Sequence, residues 1–486
     1  MHQVIVANAV KAKLIDPDIE TRLLVSDKLS YYVDGAEHTG RGRNQGWDGR
    51  QSFYDFAENT FPAGFVHSVV DHLKSKGYTA RLHRKPIPKP LGPSVEEAYD
   101  AVSPFDYDPR YDYQPETVRR LEKFGAMIAQ VATGGGKSMI ARTAVKRLMR
   151  PTIFLTTRQI LMYQMKKGFE EGGFQVGIMG DGEWAPKRGV NVAMIQTIDA
   201  RLKDPRTADK MVKLLTLFEF AILEEAHEAS SETYMRVMNH LPNAHYRLAL
   251  TATPFMKADA EANMRLMAVS GQVGIKISEK MLIDRGILAK PQFKYIDLPA
   301  PPALKKFQGW QKAYDVGVVN NHLRNDVIVE EAEFAIENKL PVLILIQRKK
   351  HGEIIRDLLR DKGIKVEFIH GSHSNEQRQA ALDRLGGGVT QVLIGSTIVD
   401  VGVDAPAVGM AILAGGGKAE VALRQRIGRG LRAKKVGPNI CFVVDFTDAG
   451  NKYLLKHAKA RREIVENTPG FVENILKKGQ EFSLKG

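Results

Sequence analysis

Cysteine is nearly absent from this chain: Cys441 is the single one in 486 residues. One thiol excludes an intramolecular disulfide and any cysteine-built zinc cluster. It stands in the apolar run Ile440-Cys-Phe-Val-Val444, where it reads as a small buried core residue. Long apolar runs are missing as well, and no stretch is long enough to span a bilayer. The first residues carry neither a basic region followed by an apolar core nor a cleavage site. A cytoplasmic protein with no membrane partner is therefore expected. Acidic residues are in deficit, 56 against 70 Lys and Arg, which leaves a net charge of +14. An excess of that sign favours a polyanionic partner, because each phosphate neutralised releases condensed counterions.

What is present is ample core material, 43% apolar residues, and a length that predicts about three domains. Residues 1–83 form a first compositional block. It holds the polar turn region Gly40-Arg-Gly-Arg-Asn-Gln-Gly-Trp-Asp-Gly49 and a helical face made by Val66, Val69, Val70 and Leu73. Residues 84–109 read as an extended, stiff Pro-rich linker. Over 110–288, short apolar runs at 127–131, 152–156, 190–195, 220–223 and 246–250 alternate with amphipathic helices. That alternation predicts a parallel sheet covered on both faces. The pattern restarts over 289–449, with strands expected at 341–346, 366–369, 391–394, 409–413 and 440–445. The tail, 450–486, reads as basic and helical. The expected fold class is α/β, two tandem parallel-sheet lobes preceded by a small α+β domain.

Three segments carry chemistry. Ala132-Thr-Gly-Gly-Gly-Lys-Ser138 lies between an expected strand and an expected helix. Thr133, Gly134, Gly135 and Gly136 let the backbone wrap a triphosphate with its N–H groups inward, and the helix start adds partial positive charge. Lys137 is placed to reach the β- and γ-phosphates and Ser138 to ligate magnesium, so ATP and Mg2+ are the expected cofactors. The strict spacing asks for glycine at 131, where this chain has Val131. The bland alternative is a glycine-rich turn that binds nothing. The second half lacks such a loop, so one ATP site is expected.

Leu223-Glu-Glu-Ala-His227 follows an apolar strand, and carboxylates at such a strand end project into the crevice where parallel sheets bind ligands. Glu224 is expected on magnesium and Glu225 on the attacking water. His227 is a candidate for coupling to the other lobe. The hydroxyls of Thr251 and Thr253, in Leu250-Thr-Ala-Thr-Pro254, can bridge in the same way, although turn chemistry before a proline also explains them. Far downstream, Gln425-Arg-Ile-Gly-Arg-Gly-Leu-Arg432 offers arginines whose planar forks suit phosphate oxygens.

With these residues in hand, the chain resembles the superfamily 2 helicases over about 110–450. It specifically resembles the phage UvsW-type branch-migration helicases and, more loosely, bacterial RadD-like and XPB-like enzymes. The resemblance implies two RecA-like lobes. It makes Gln114 an adenine reader. It places Thr157, Arg158, Gln196 and Thr197 on a nucleic-acid strand and reads Asn320–Asn325 as part of the stretch joining the lobes. In Ser396–Pro406 it turns Thr397 toward nucleic acid and Gly402 and Asp404 toward ATP. It makes Gln425 a nucleotide sensor, with Arg429 and Arg432 as arginine fingers. Asn44–Arg50 resembles part of a small leading domain that contacts branched or duplex DNA, with Trp47 stacking and Arg50 on phosphate. Trp47 as a core anchor remains an equal alternative.

What the resemblance implies is an ATP-dependent DNA helicase or translocase that remodels forks and Holliday junctions in phage-type recombination, repair or replication. Its partner is branched, forked or junction DNA, in the host cytoplasm if phage-encoded. Rival readings are a duplex translocase that does not unwind, an RNA helicase, or an ATP-gated DNA-binding module with weak or no hydrolysis. The last draws on Glu224, since the family usually has Asp there. No nuclease-like carboxylate–lysine cluster is evident, which argues against a restriction-system motor.

Overall fold

The computed structural model describes residues 2–33, 48–104, 106–226, 232–255, 260–395, 408–416 and 439–484. Two compact units divide the chain, Met1–Val131 with Gly136–Ile277, and Ala132–Gly135 with Ser278–Gly486. Among the described residues no helix is long and apolar enough to cross a membrane.

The first unit opens with β1 (His2–Ala7), β2 (Lys11–Ile15), β3 (Ser30–Tyr32), β4 (Arg50–Ser52), β5 (Thr60–Pro62) and β6 (Thr79–Arg84). Four of them form a sheet in the order β5-β2-β1-β6, with β1 and β6 parallel. Alternation along β2 buries Ala12 and Leu14, the period-two pattern of a half-buried strand. Two helices cover the sheet, α1 (Ile19–Lys28), whose N-cap Asp18 accepts the Thr21 amide, and α2 (Val66–Ser75). The helical face expected from the sequence buries Val66, Val69 and Leu73. This small domain docks on a helix of the larger part: Phe65 shares a core with Ala268, Met264 and Met267. A Cβ on Gly64 would lie 2.0 Å from the Met267 carbonyl oxygen, so any side chain there forces the domain away.

The proline-rich stretch is extended, as expected, but it is no free spacer. Tyr246 Oη donates to the Pro88 carbonyl at 2.6 Å. The Leu91 and Gly92 amides donate to Leu148 and Arg147 at 3.0 and 3.1 Å. It also contains α3 (Val95–Val102), started by a capping box between Ser94 and Glu97. Ser-x-x-Glu ahead of an apolar helical run is a start signal legible in sequence, and the neighbouring prolines masked it.

Then come α4 (Tyr113–Phe124), α5 (Lys137–Leu148), α6 (Gln159–Glu171), α7 (Ile195–Lys203), α8 (Ala208–Leu215), α9 (Glu232–Asn239) and α10 (Ala260–Ser270). They alternate with β7 (Ala126–Val131), β8 (Thr152–Thr156), β9 (Val176–Gly180), β10 (Glu183–Ala185), β11 (Val190–Met194), β12 (Phe220–Glu224), β13 (Tyr246–Thr251) and β14 (Val273–Ile277). The sheet order is β10-β9-β11-β8-β12-β13-β7-β14, parallel except where β10 meets β9. The expected strand 190–195 ends at Met194, because Ile195 already begins α7. The strands β9 and β14 were not expected.

In the second unit, β15 (Lys290–Ile296), β16 (Val342–Leu345), β17 (Val366–Ile369), β18 (Val392–Gly395), β19 (Met410–Ile412) and β20 (Ile440–Phe446) form a sheet in the order β15-β20-β19-β16-β18-β17. All its pairings are parallel. Every residue of β20 is buried, Cys441 among them at 0% exposure. A buried charge network braces this unit. Arg461 grips Asp445 through two bonds of 2.8 and 2.9 Å. Arg324 pairs with Asp448 at 2.5 Å, donates to the Ala414 carbonyl at 3.0 Å and lies 3.9 Å from the Phe446 ring centroid. The tail corrects the sequence expectation. Helix Lys452–Glu466 is basic, but beyond it the chain returns to the sheet. The Leu476 amide donates to Phe293 at 2.9 Å, and Phe482 stacks on Phe442 with ring centroids 4.3 Å apart. It is part of this unit's core.

Candidate functional site

Strand order sets the site. The strands β12, β13 and β7 are neighbours, so their carboxyl ends bring the Glu224–Glu225 pair, Thr251–Thr253 and the start of the glycine-rich loop to one edge. Beyond the loop, α5 begins at Lys137 behind Gly136, whose φ of +79° places it in the left-handed region. A second constraint also requires glycine there: a Cβ would lie 2.2 Å from Nε2 of Gln114. Gln114 is buried on α4. The sequence-predicted adenine reader and the last loop glycine are thus in contact. Gly136 offers no side-chain cap, so the first amides of α5 are left for an anion, as phosphate-binding helix starts require.

Glu224 is the last residue of β12 and only 5% exposed. Burial, followed by the negative charge of Glu225, pushes its carboxyl pKa up to about 8, while Lys137 pulls the other way. Its Oε2 is buried without a hydrogen-bond partner among the described residues. A buried carboxylate with an orphaned oxygen fits a divalent cation, which supplies the missing positive charge. Glu225 follows at φ +49°, a left-handed conformation costly for a non-glycine residue and typical of functional positions. Thr251 is buried, and its Oγ1 accepts the Thr253 amide at 3.2 Å. Thr253 Oγ1 is buried with no partner among the described residues.

The strand-contact candidates gather at the same edge. Thr157 and Arg158 follow β8, while Gln196 and Thr197 open α7 after the adjacent β11. Nε2 of Gln196 donates to the Thr157 carbonyl at 3.4 Å. Gln196 and Thr197 also line a cavity of about 500 Å³. Arg50, on β4, is paired with Asp27 at 2.7 Å and lies over the Tyr32 ring, so its charge is already partly satisfied. Thr133, Gly134 and Gly135 belong to the loop after β7, which clusters with the second unit. Trp47, His227, Thr397, Gly402, Asp404, Gln425, Arg429 and Arg432 lie outside the described residues. One contributor was missed. Gln130, near the end of β7, donates to the Ala252 carbonyl at 3.4 Å and ties the strand to the Thr251–Thr253 segment. A polar residue inside an apolar strand was the signal.

The glycine-rich loop and paired carboxylates at one strand-end edge of the first parallel sheet, with a second parallel-sheet unit following in the chain, define an α/β protein of two such units. Residues 108–256 match the family described as type III restriction enzyme, res subunit, and residues 324–434 the helicase conserved C-terminal domain. The chain belongs to the superfamily 2 helicases. It is 26% identical over 359 residues to the DNA 3'-5' translocase XPB2 of Sulfurisphaera tokodaii, covering 66% of this chain and 78% of that protein. A fragment assigned as the HsdR subunit of a type I restriction enzyme from Vibrio vulnificus YJ016 shares the fold at TM-score 0.55 and 17% identity, over 78% of this chain and 70% of that one. The crystal structure of T4 UvsW aligns over 98% of this chain and 99% of that one, at TM-score 0.47 and 19% identity. Across the first four curated relatives, the chain spans between 48% and 78% of their length.

Proposed function

We propose that this chain is an ATP-driven motor that moves on DNA and remodels branched substrates. The observation that carries the reading is the Glu224–Glu225 pair on the same strand-end edge as Lys137 and the uncapped start of α5. Lys137 neutralises charge developing on the β- and γ-phosphates, and Glu225 orients the attacking water and takes its proton. Glu224 and Ser138 would hold Mg2+, which when bound supplies positive charge to the phosphate oxygens. In this reading Arg429 and Arg432 complete the site, with Gln425 sensing the nucleotide. Thr157, Arg158, Gln196, Thr197 and Thr397 grip the strand mainly by its phosphates, so sequence preference is low. The family membership, the net charge of +14 and the likeness to a protein named as a DNA translocase support DNA as the track.

The test is ATP hydrolysis by the full chain with single-stranded, duplex, forked and four-way DNA, and with RNA, alongside strand displacement on forks. The reading predicts the strongest stimulation, with displacement, on forks and junctions. Stimulation by plain duplex without displacement makes it a duplex translocase, and a preference for RNA makes it an RNA helicase. DNA binding that responds to ATP without hydrolysis makes it a gated binding module.

A further inference from the structure

On the side of the large sheet opposite the nucleotide edge, a cleft of about 930 Å³ opens between that sheet and the small leading domain. Its walls are the ends of β1 and β6, the start of β2, and the amino ends of β7 and β13. It therefore lies one strand length, roughly 17 Å, from the nucleotide edge. Four exposed cations line it, Lys11, Lys13, Arg84 and Lys85, with the buried Arg247 as a fifth, and no carboxylate does. None of the four makes an ion pair with a described residue. Close by, Arg147 is paired with Glu122 at 2.6 Å and Arg150 with Glu219 at 3.1 Å. Where this part of the surface can neutralise its arginines it does so; around the cleft it does not.

A buried charge points the same way. Arg247 lines the cleft and is 3% exposed. Its guanidinium donates to the carbonyls of Ala244, Val269, Met238 and Leu241 at 3.1–3.3 Å. Those bonds solvate the group but bring no negative charge, and a buried charge without a counter-ion is expensive. Burial lowers its pKa only to about 10, so it remains a cation at neutral pH. His67 lines the cleft with a buried Nε2 that lacks a hydrogen-bond partner among the described residues. The nearest acids act weakly here: Asp71 lies beyond His67 on α2, and Glu219 is held by Arg150. Between the charges, Val6 (45% exposed), Leu82, Ile87 and Phe124 give an apolar floor of the kind that sugars and bases pack on.

We propose that this cleft binds the phosphate backbone of a nucleic-acid strand, as a second anion site separate from the ATP edge and independent of nucleotide. The cations come from three separate segments around an open cleft, which suits a run of phosphodiesters better than one small anion. The proposal rests on the reading that the chain acts on nucleic acid.

The experiment compares three full-length proteins: wild type, Lys11→Ser/Lys13→Ser/Lys85→Ser, and a charge-matched control, Lys28→Ser/Lys74→Ser/Lys76→Ser. The control lysines are exposed and do not line the cleft. Anisotropy of fluorescent single-stranded and forked DNA is followed without nucleotide across a sodium chloride series, with tripolyphosphate as a competitor. The cleft variant should bind at least about tenfold more weakly near ~0.1 M salt. Its log–log salt slope should be shallower by about 2, because each lost phosphate contact removes ~0.7–0.9 from the slope. The control should keep the wild-type slope. Equal losses in both variants would mean general charge attraction and overturn the site. Unchanged DNA affinity in the cleft variant, with loss only of tripolyphosphate binding, would assign the cleft to a free polyphosphate and overturn the strand. A wild type that binds no DNA sinks the motor reading itself. A DNA-stimulated wild type beside an unimpaired cleft variant sinks the cleft alone.

Discussion

In the second unit, Arg461 and Asp445 meet at 2.8 Å with side chains 3% and 6% exposed, and Arg324 with Asp448 closes the same network. In the first unit, Glu224 and Arg247 are as deeply buried, at 5% and 3%, and neither forms an ion pair with a described residue. Desolvating a charge is costly in both places. The second unit offsets that cost internally; the first does so at Asp199, which Arg236 and Lys203 grip at 2.6 Å, but not at Glu224 or Arg247. Paired buried charges brace the fold, and the unpaired Glu224 and Arg247 stand at the two proposed ligand sites.

Changing the unpaired set should cost activity, and changing the paired set should cost stability. The largest expected effect is that of Glu225→Gln, the proposed general base next to the unpaired Glu224, which should cut ATP turnover by about 10²–10⁴, the usual contribution of such a base. Its thermal midpoint should stay where it is; a stability loss with turnover intact would break the distinction. Next, Arg461→Ala strands Asp445 in the interior and should cost about 3–5 kcal/mol in the unfolding of the second unit, read from denaturant titration. Replacing both partners by leucine should recover most of that loss. If the double variant is no better, packing rather than charge holds this region.

Glu224 supplies a pH test. Its native pKa of about 8 lies above the ordinary 4.5, so between those values the native state holds a proton that the unfolded chain has released. The stability this contributes is full below the ordinary value and is lost as pH rises through the native one. Without magnesium, the wild-type midpoint should therefore fall between pH 5 and 8 relative to Glu224→Gln, by roughly 4 °C or more. Magnesium should restore it at pH 8. Parallel calorimetric curves for the two proteins would mean that Glu224 is not strained by its charge. The smallest effect belongs to an uncharged feature outside both sets: Ser94→Ala removes the α3 capping box and should cost about 1 kcal/mol, with no change in turnover.

The sequence was most legible where a signal is contiguous. The β-branched and apolar runs 152–156 and 366–369 are strands with the expected bounds, because a parallel strand buried on both faces needs a continuous apolar stretch. The strands β9 and β14 escaped notice because Val-Gly-Ile-Met-Gly and Val-Gly-Ile-Lys-Ile put glycine inside the strand, which weakens the pattern. The placement of the glycine-rich loop between a strand and a helix was legible for the same reason that the strands were. The Gln114–Gly136 contact joins two signals, each readable alone. The left-handed backbone at Glu225 was not legible, since nothing in Glu-Glu-Ala specifies its φ. Nor was the return of the tail, whose lysines hide Phe471 and Phe482, two residues that insert into the core. The basic cleft is assembled from residues distant in sequence, and no periodicity says on which side of a sheet a neighbouring domain docks.

The account is tested most directly by the rate of ATP hydrolysis by wild type and Lys137→Ala, each with and without forked DNA. It predicts wild-type turnover accelerated by the fork, and a variant that binds the fork normally and hydrolyses almost nothing. Full turnover by Lys137→Ala, or an inert wild type that still binds the fork, would contradict it.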